Sequence, residues 1–255
     1  GRATATKSLR ETSTPKMKDL RSPFRNRLAP ILLGLAVAVA PLRAADTHYL
    51  AAGEPDAIAL LAPPPLPNSP EQVADMAEVQ SISRAAASNE AAAAFAEKKF
   101  NVFNFAPAIG GFFQPGNLPR TEQFFKHVQK DAESVTDGAK EYWRRPRPYT
   151  LDPTLAGGKL EKSFSYPSGH STESMTLALV LAELFPGQHE AILAQARLIG
   201  WHRVQIARHY PTDIYAGRVL AQAIVREMKR NVEFQKDFVA VKGEIAALRQ
   251  TASHQ

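Results

Sequence analysis

Three short stretches of this chain gather side chains suited to holding an anion and moving a proton. The first is KEYWRRPRP, which carries Lys140 and Arg147. Lys140 falls near the end of a helical stretch, and Pro146 and Pro148 stop that helix, so Arg147 is held on a stiff loop. A guanidinium fork on such a loop meets two phosphate oxygens with little further ordering. The second is Tyr166-Pro167-Ser168-Gly169-His170, directly before an apolar run with Met175, Leu177, Leu179, Val180 and Leu184. A Ser-Gly turn at a helix start leaves backbone amides unpaired and lets an anion come close, helped by the positive end of the helix dipole. The third runs from His202-Arg203 to His209-Tyr210-Pro211-Thr212-Asp213. Asp213 stands four positions past His209, where it can accept a proton from one imidazole nitrogen and aim the other outward.

Each stretch alone also admits a plainer reading. Basic clusters are usually solvated surface. Ser168 or Ser171 can simply cap a helix, with His170 an ordinary first-turn residue. A histidine near an aspartate is often a satisfied structural pair. His202, His209 and Asp213 could be read as metal ligands, but their spacing matches no strong metal motif.

The elements that must position these residues read as helices. Residues 70–99 are alanine-rich, with Val73, Met76, Val79 and Ile82 at helical spacing, which predicts a helix or helix pair. Residues 121–143, 170–185, 188–206 and 212–230 are further helices, and Gly, Pro and Asn between Asn104 and Arg120 predict a loop. Phe234, Phe238, Val241, Ile245 and Leu248 recur at spacings of four and three, the mark of a last amphipathic helix. Strand signals are nearly missing, so the body, residues 46–255, is expected to be a single all-α helical-bundle domain. Before it, LLAPPPLP at Leu60–Pro67 is a rigid connector, since consecutive prolines remove amide donors.

Residues 1–45 read as a leader: a Ser/Thr-rich start, a basic stretch from Met17, an apolar run from Ile31 to Ala40, then small residues at Ala44 and Ala45. That order predicts a secretory signal peptide and a periplasmic or secreted product. The apolar run is about half the roughly 20 residues a spanning helix needs, so no stable membrane anchor is expected after cleavage. The net charge of +6 belongs to this leader, which holds nine Lys/Arg against two Asp/Glu; the remainder holds 22 against 23. A nucleic-acid partner for the body is therefore not expected. Cysteine is absent, which excludes disulfides, thiolate zinc sites and cysteine nucleophiles.

In order, the stretches spell K-x6-R-P, P-S-G-H and R-x5-H-x3-D, through Lys140, Arg147, Pro148, Pro167, Ser168, Gly169, His170, Arg203, His209 and Asp213. In this the chain resembles the type 2 phosphatidic acid phosphatase and vanadium haloperoxidase superfamily. Over roughly residues 48–250, with its signal peptide and proline stretch, it is similar to the bacterial class A nonspecific acid phosphatases. The resemblance implies a soluble helical phosphatase acting on small phosphomonoesters without cofactor or metal, with a homo-oligomer as the only protein partner considered. It implies His209 as nucleophile, Asp213 as its orienting group and His170 as acid and base. Lys140, Arg147, Ser168, Gly169 and Arg203 would bind the phosphoryl group. The rivals are a vanadate-dependent haloperoxidase, a lipid phosphatase and a noncatalytic phosphate-binding protein. Two departures stand out: His202 replaces the Ser common before Arg203, adding a titratable group beside the site, and the cysteines frequent in class A members are absent.

Overall fold

The expected helices form, and most start or stop for a local reason. The computed structural model describes residues 47–252, and among these residues there is helix and no strand. The leader expected over residues 1–45 lies outside the described residues. The longer helices are α1 (Pro70–Ala85), α2 (Ser88–Ala96), α3 (Pro119–Trp143), α4 (Gly169–Leu184), α5 (His189–Gln205), α6 (Pro211–Met228) and α7 (Val232–Ala252). Residues 70–99 thus contain a helix pair. Ser69 caps α1, its Oγ accepting from Gln72 N at 3.2 Å, with Pro70 in the first helical position. Leu118 gives α3 no side-chain cap; Glu244 of α7 reaches across instead and accepts from Arg120 N and Thr121 N. Between Leu61 and Pro67 the backbone is non-helical, as the prolines require.

One expectation needs correcting. The stretch 104–120 is not all loop, because one-turn helical segments occupy Val102–Phe105 and Ala106–Ile109. A reciprocal capping box nucleates them: Asn101 accepts from Phe103 N, and Asn104 accepts from Asn101 N. Phe105, Ile109 and Phe113 then anchor the segments in the core, and Gly110, at φ 133°, ends the run.

α4 is the hub. It buries residues on all sides, from Ser171 and Thr172 to Leu181 and Leu184, as expected of a helix without a polar face. It packs chiefly on α5 and α6, then on α3. Two glycines let its neighbours close on its N-terminus. A Cβ on Gly200 of α5 would lie 3.3 Å from Ser171, and one on Gly217 of α6 would lie 2.9 Å from the Ser168 carbonyl oxygen and 3.0 Å from Thr172 N. That close approach sets the His209–Asp213 turn against the Ser168–His170 turn.

Gly217→Ala accordingly tests how the site is held. Alanine in a helix gains up to about 1 kcal/mol of propensity over glycine, but here the added methyl meets backbone that cannot rotate away. Overpacking of about 1–3 kcal/mol should win, lowering the melting temperature and displacing Ser168. Thermal unfolding alongside phosphatase assays checks this, and an unchanged melting point would show that α6 can shift freely.

Candidate active site

Five segments meet at the N-terminus of α4: the end of α3, the loop 144–148, the turn 165–168, the end of α5 and the turn 206–210. α3 stops after Trp143 because Arg144 adopts a left-handed conformation, φ 49°, and turns the chain. Lys140, in the last turn of α3, is buried and pairs with Asp137 at 3.3 Å. Its Nζ and Glu173 Oε1 flank the empty Cβ position of Gly169, at 3.2 and 3.3 Å. A larger residue at 169 would fill the space over which Lys140 stands. Ser168 does cap α4, accepting from Ser171 N at 3.4 Å, while its own amide donates to the Asp213 carbonyl at 3.1 Å. His170 is more than a first-turn residue: its Nε2 lies 3.2 Å from the Glu97 carbonyl oxygen, so Nε2 carries the proton.

His209 is fully enclosed, and its tautomer follows from its neighbours. Nε2 lies 3.2 Å from Arg147 Nη1, a group that only donates, so Nε2 is bare. Nδ1 then holds the proton and faces Asp213 Oδ2 at 3.4 Å and Ser165 Oγ at 3.5 Å, both long for hydrogen bonds. Burial, and then the charge of Arg147, holds the imidazole well below its ordinary pKa. It is a neutral base in a cationic pocket. Asp213 is itself fixed, with Oδ2 accepting from Ser165 Oγ at 2.5 Å and Tyr210 N at 2.9 Å, and Oδ1 from Arg145 at 2.6 Å.

Arg147 is held from several sides. It donates to the Ser163 carbonyl at 2.7 Å, to Ser163 Oγ at 3.0 Å and to the Arg208 carbonyl at 2.9 Å. Between Arg147 and Arg203 lies a carboxylate, Glu161, 2.7 Å from Arg147 Nη2 and 2.5 Å from Arg203 Nη2. Burial alone would raise the Glu161 carboxyl, yet the guanidiniums of Arg147 and Arg203 hold it down at about 2. Burial pushes His170 the other way for a base, down to about 3, with Arg203 and Lys140 adding to the effect.

The residues picked from the sequence are therefore brought to one place, except for His202. Its Nδ1 pairs with the Glu97 carboxylate at 2.7 Å, tying the segment after α2 to α5. No group of three or more His, Asp or Glu among the described residues is arranged to hold a metal ion, and His202, His209 and Asp213 form no such set. Sequence reasoning missed Glu161, Ser165, Arg208 and Arg145. Arg145 is buried, stacks over the Tyr210 ring at 3.9 Å and bridges Asp213 to Asp75 of α1. The RRPRP run offered both arginines, and only the loop after α3 decides that Arg145 supports Asp213 while Arg147 faces His209.

Residues 132–237 match the PAP2 superfamily. A non-specific acid phosphatase of Providencia stuartii is 33% identical over 215 residues, covering 80% of this chain and 87% of its own. An acid phosphatase of Zymomonas mobilis subsp. mobilis is 28% identical over 206 residues, covering 77% and 78%. Among solved structures, a transmembrane PAP2 type phosphatidylglycerolphosphate phosphatase from Bacillus subtilis is 19% identical with a TM-score of 0.47, covering 68% of this chain and 89% of that one. No helix of the described residues is long and apolar enough to cross a membrane.

Proposed function

The chain belongs to the PAP2 superfamily and is a phosphatase, and on that premise we propose that it hydrolyses phosphomonoesters through a phosphohistidine at His209, without a catalytic metal. The observation that carries this reading is the bare Nε2 of a neutral, buried His209, 3.2 Å from the Arg147 guanidinium. A nucleophile needs an available lone pair, and a phosphoryl group drawn to Arg147 would meet it directly. Phosphoryl transfer passes through a loose transition state with charge spread over the equatorial oxygens, so the site mainly has to position donors and neutralise charge.

Lys140, Arg147 and Arg203 supply three positive charges for that work, with the Ser168 hydroxyl and Gly169 amide as further donors by family resemblance. His209 Nε2 attacks phosphorus and the ester P–O bond breaks. The growing imidazolium charge is balanced through Nδ1–H by Asp213, which Ser165, Arg145 and the Tyr210 amide keep in place. His170 protonates the leaving alkoxide. With the alcohol gone, His170 takes a proton from water, which attacks the phosphohistidine and releases inorganic phosphate. The basic-then-apolar order of residues 17–45 supports action after export.

Activity is expected to survive exhaustive chelation and to be lost on addition of vanadate, which resembles the five-coordinate transition state. Titrations of EDTA and vanadate against hydrolysis of an aryl phosphate check both halves. Activity that vanishes with EDTA and returns with Zn²⁺ or Mg²⁺ would sink the metal-free mechanism, and vanadate-dependent halide oxidation would favour the haloperoxidase alternative.

A further inference from the structure

We propose that Glu161 is an internal occupant of the site: its carboxylate fills the phosphoryl pocket of the free enzyme, and a substrate or phosphate enters by displacing it. The inference rests on the phosphatase reading above and concerns how that site is held before substrate arrives. Two oxygens of Glu161 bridge one nitrogen of Arg147 and one of Arg203, at 2.7 and 2.5 Å, as two oxygens of a phosphoryl group would. Without a counter-anion, two guanidiniums that are 3% and 2% exposed would repel each other, with Arg208 buried close by. Glu161 supplies that anion when no substrate is bound.

The loop is built so that the side chain can leave while the backbone stays. Tyr149 OH donates to the Glu161 carbonyl at 2.9 Å, and Glu161 N donates back to it at 3.2 Å. Arg208 grips the Gly157 carbonyl and, at 3.0 Å, that of Lys159. The Glu161 side chain, by contrast, is 23% exposed, more than either arginine it pairs with. Rotation about its own bonds frees the pocket.

Exchange depends on what a ligand offers in place of the carboxylate. A phosphomonoester brings three free oxygens against the two of Glu161, and it presents two charges either directly or by handing its proton to His170. Every ligand must displace the same side chain, so Glu161 weakens them all by one common factor.

The experiment compares the full-length wild type with Glu161→Gln, whose amide carries no charge and has one acceptor oxygen instead of two. Binding of inorganic phosphate is followed by calorimetry, and kcat/KM is measured on p-nitrophenyl phosphate and bis(p-nitrophenyl) phosphate. Phosphate should bind Glu161→Gln about tenfold more tightly, as expected when a site that is free only about one-tenth of the time loses its occupant. The kcat/KM on both esters should rise by the same factor. Phosphate binding that is unchanged or weaker in the variant, as a residue that merely positions the arginines would give, overturns the proposal, and so does kcat/KM that rises on neither ester. If Glu161→Gln does not fold, carboxyl NMR of the wild type labelled with ¹³C-glutamate decides: phosphate should shift the Glu161 carboxyl resonance as it leaves Arg147 and Arg203, and an unshifted resonance overturns it. A wild type that neither binds phosphate nor hydrolyses the monoester would instead defeat the phosphatase reading itself.

Discussion

His209→Ala is expected to lose turnover by a factor on the order of 10⁴ or more and to form no phosphoenzyme, what remains coming from binding alone. The size of the effect follows from the site having no second nucleophile in the same place. The nearest hydroxyl, Ser165 Oγ, lies on the Nδ1 side of the ring and already donates to Asp213 at 2.5 Å. Ser168 Oγ is turned to the Ser171 amide as a helix cap. Phosphate affinity should largely persist, because Lys140, Arg147 and Arg203 remain and Arg147 keeps its bonds to Ser163 and the Arg208 carbonyl. Phosphohistidine is acid-labile, so the measurement is an alkaline quench of enzyme mixed with ³²P-labelled substrate, followed by peptide mapping. Label on Ser168, or undiminished labelling in His209→Ala, would refute the assignment.

What could be read from the sequence divides along a physical line. Helices announce themselves locally, through apolar spacing along α7 and through the proline stops after Lys140, so their existence and approximate ends were legible. The residues gathered at the α4 N-terminus were legible too, but only because three stretches could be read together; each alone had a plainer explanation. Glu161 left no trace, since a single glutamate in a Gly/Lys/Ser loop resembles any solvated residue, and its significance comes from Arg147, 14 positions before it, and Arg203, 42 after. Arg145 was hidden for the same reason: its partner Asp75 lies 70 positions away on α1. The His202 substitution looked like a change to the chemistry. The structure turns it into a tether, because Glu97 is brought within 2.7 Å by the packing of the segment after α2 on α5.

His170→Ala should fail in a different way from His209→Ala, and the difference lies in the leaving group. In the free enzyme His170 is neutral above about pH 3, so it holds no spare proton until an anion arrives. A bound phosphomonoester changes that, either by carrying a proton in or by adding negative charge that raises the imidazole. In the wild type, kcat/KM on alkyl phosphates should therefore fall as pH rises past the substrate's second ionisation, near ~6, because the one proton the complex needs is lost. Removing His170 removes the group that delivers that proton, commonly worth ~10²–10⁴-fold. Alkyl phosphates should lose that factor in kcat/KM and show no phosphoenzyme. Aryl phosphates leave with little protonation, so their kcat/KM should be nearly kept. Their kcat should still drop, because the second step also needs His170, as the base that activates water. The visible result is a burst of one equivalent of phenol followed by slow turnover, with label accumulating on His209. Stopped-flow on p-nitrophenyl phosphate beside steady-state rates on an alkyl phosphate measures both. Equal losses in kcat/KM on the two substrates would place His170 outside proton transfer and leave it as a binding group, held against the Glu97 carbonyl and the face of Phe100.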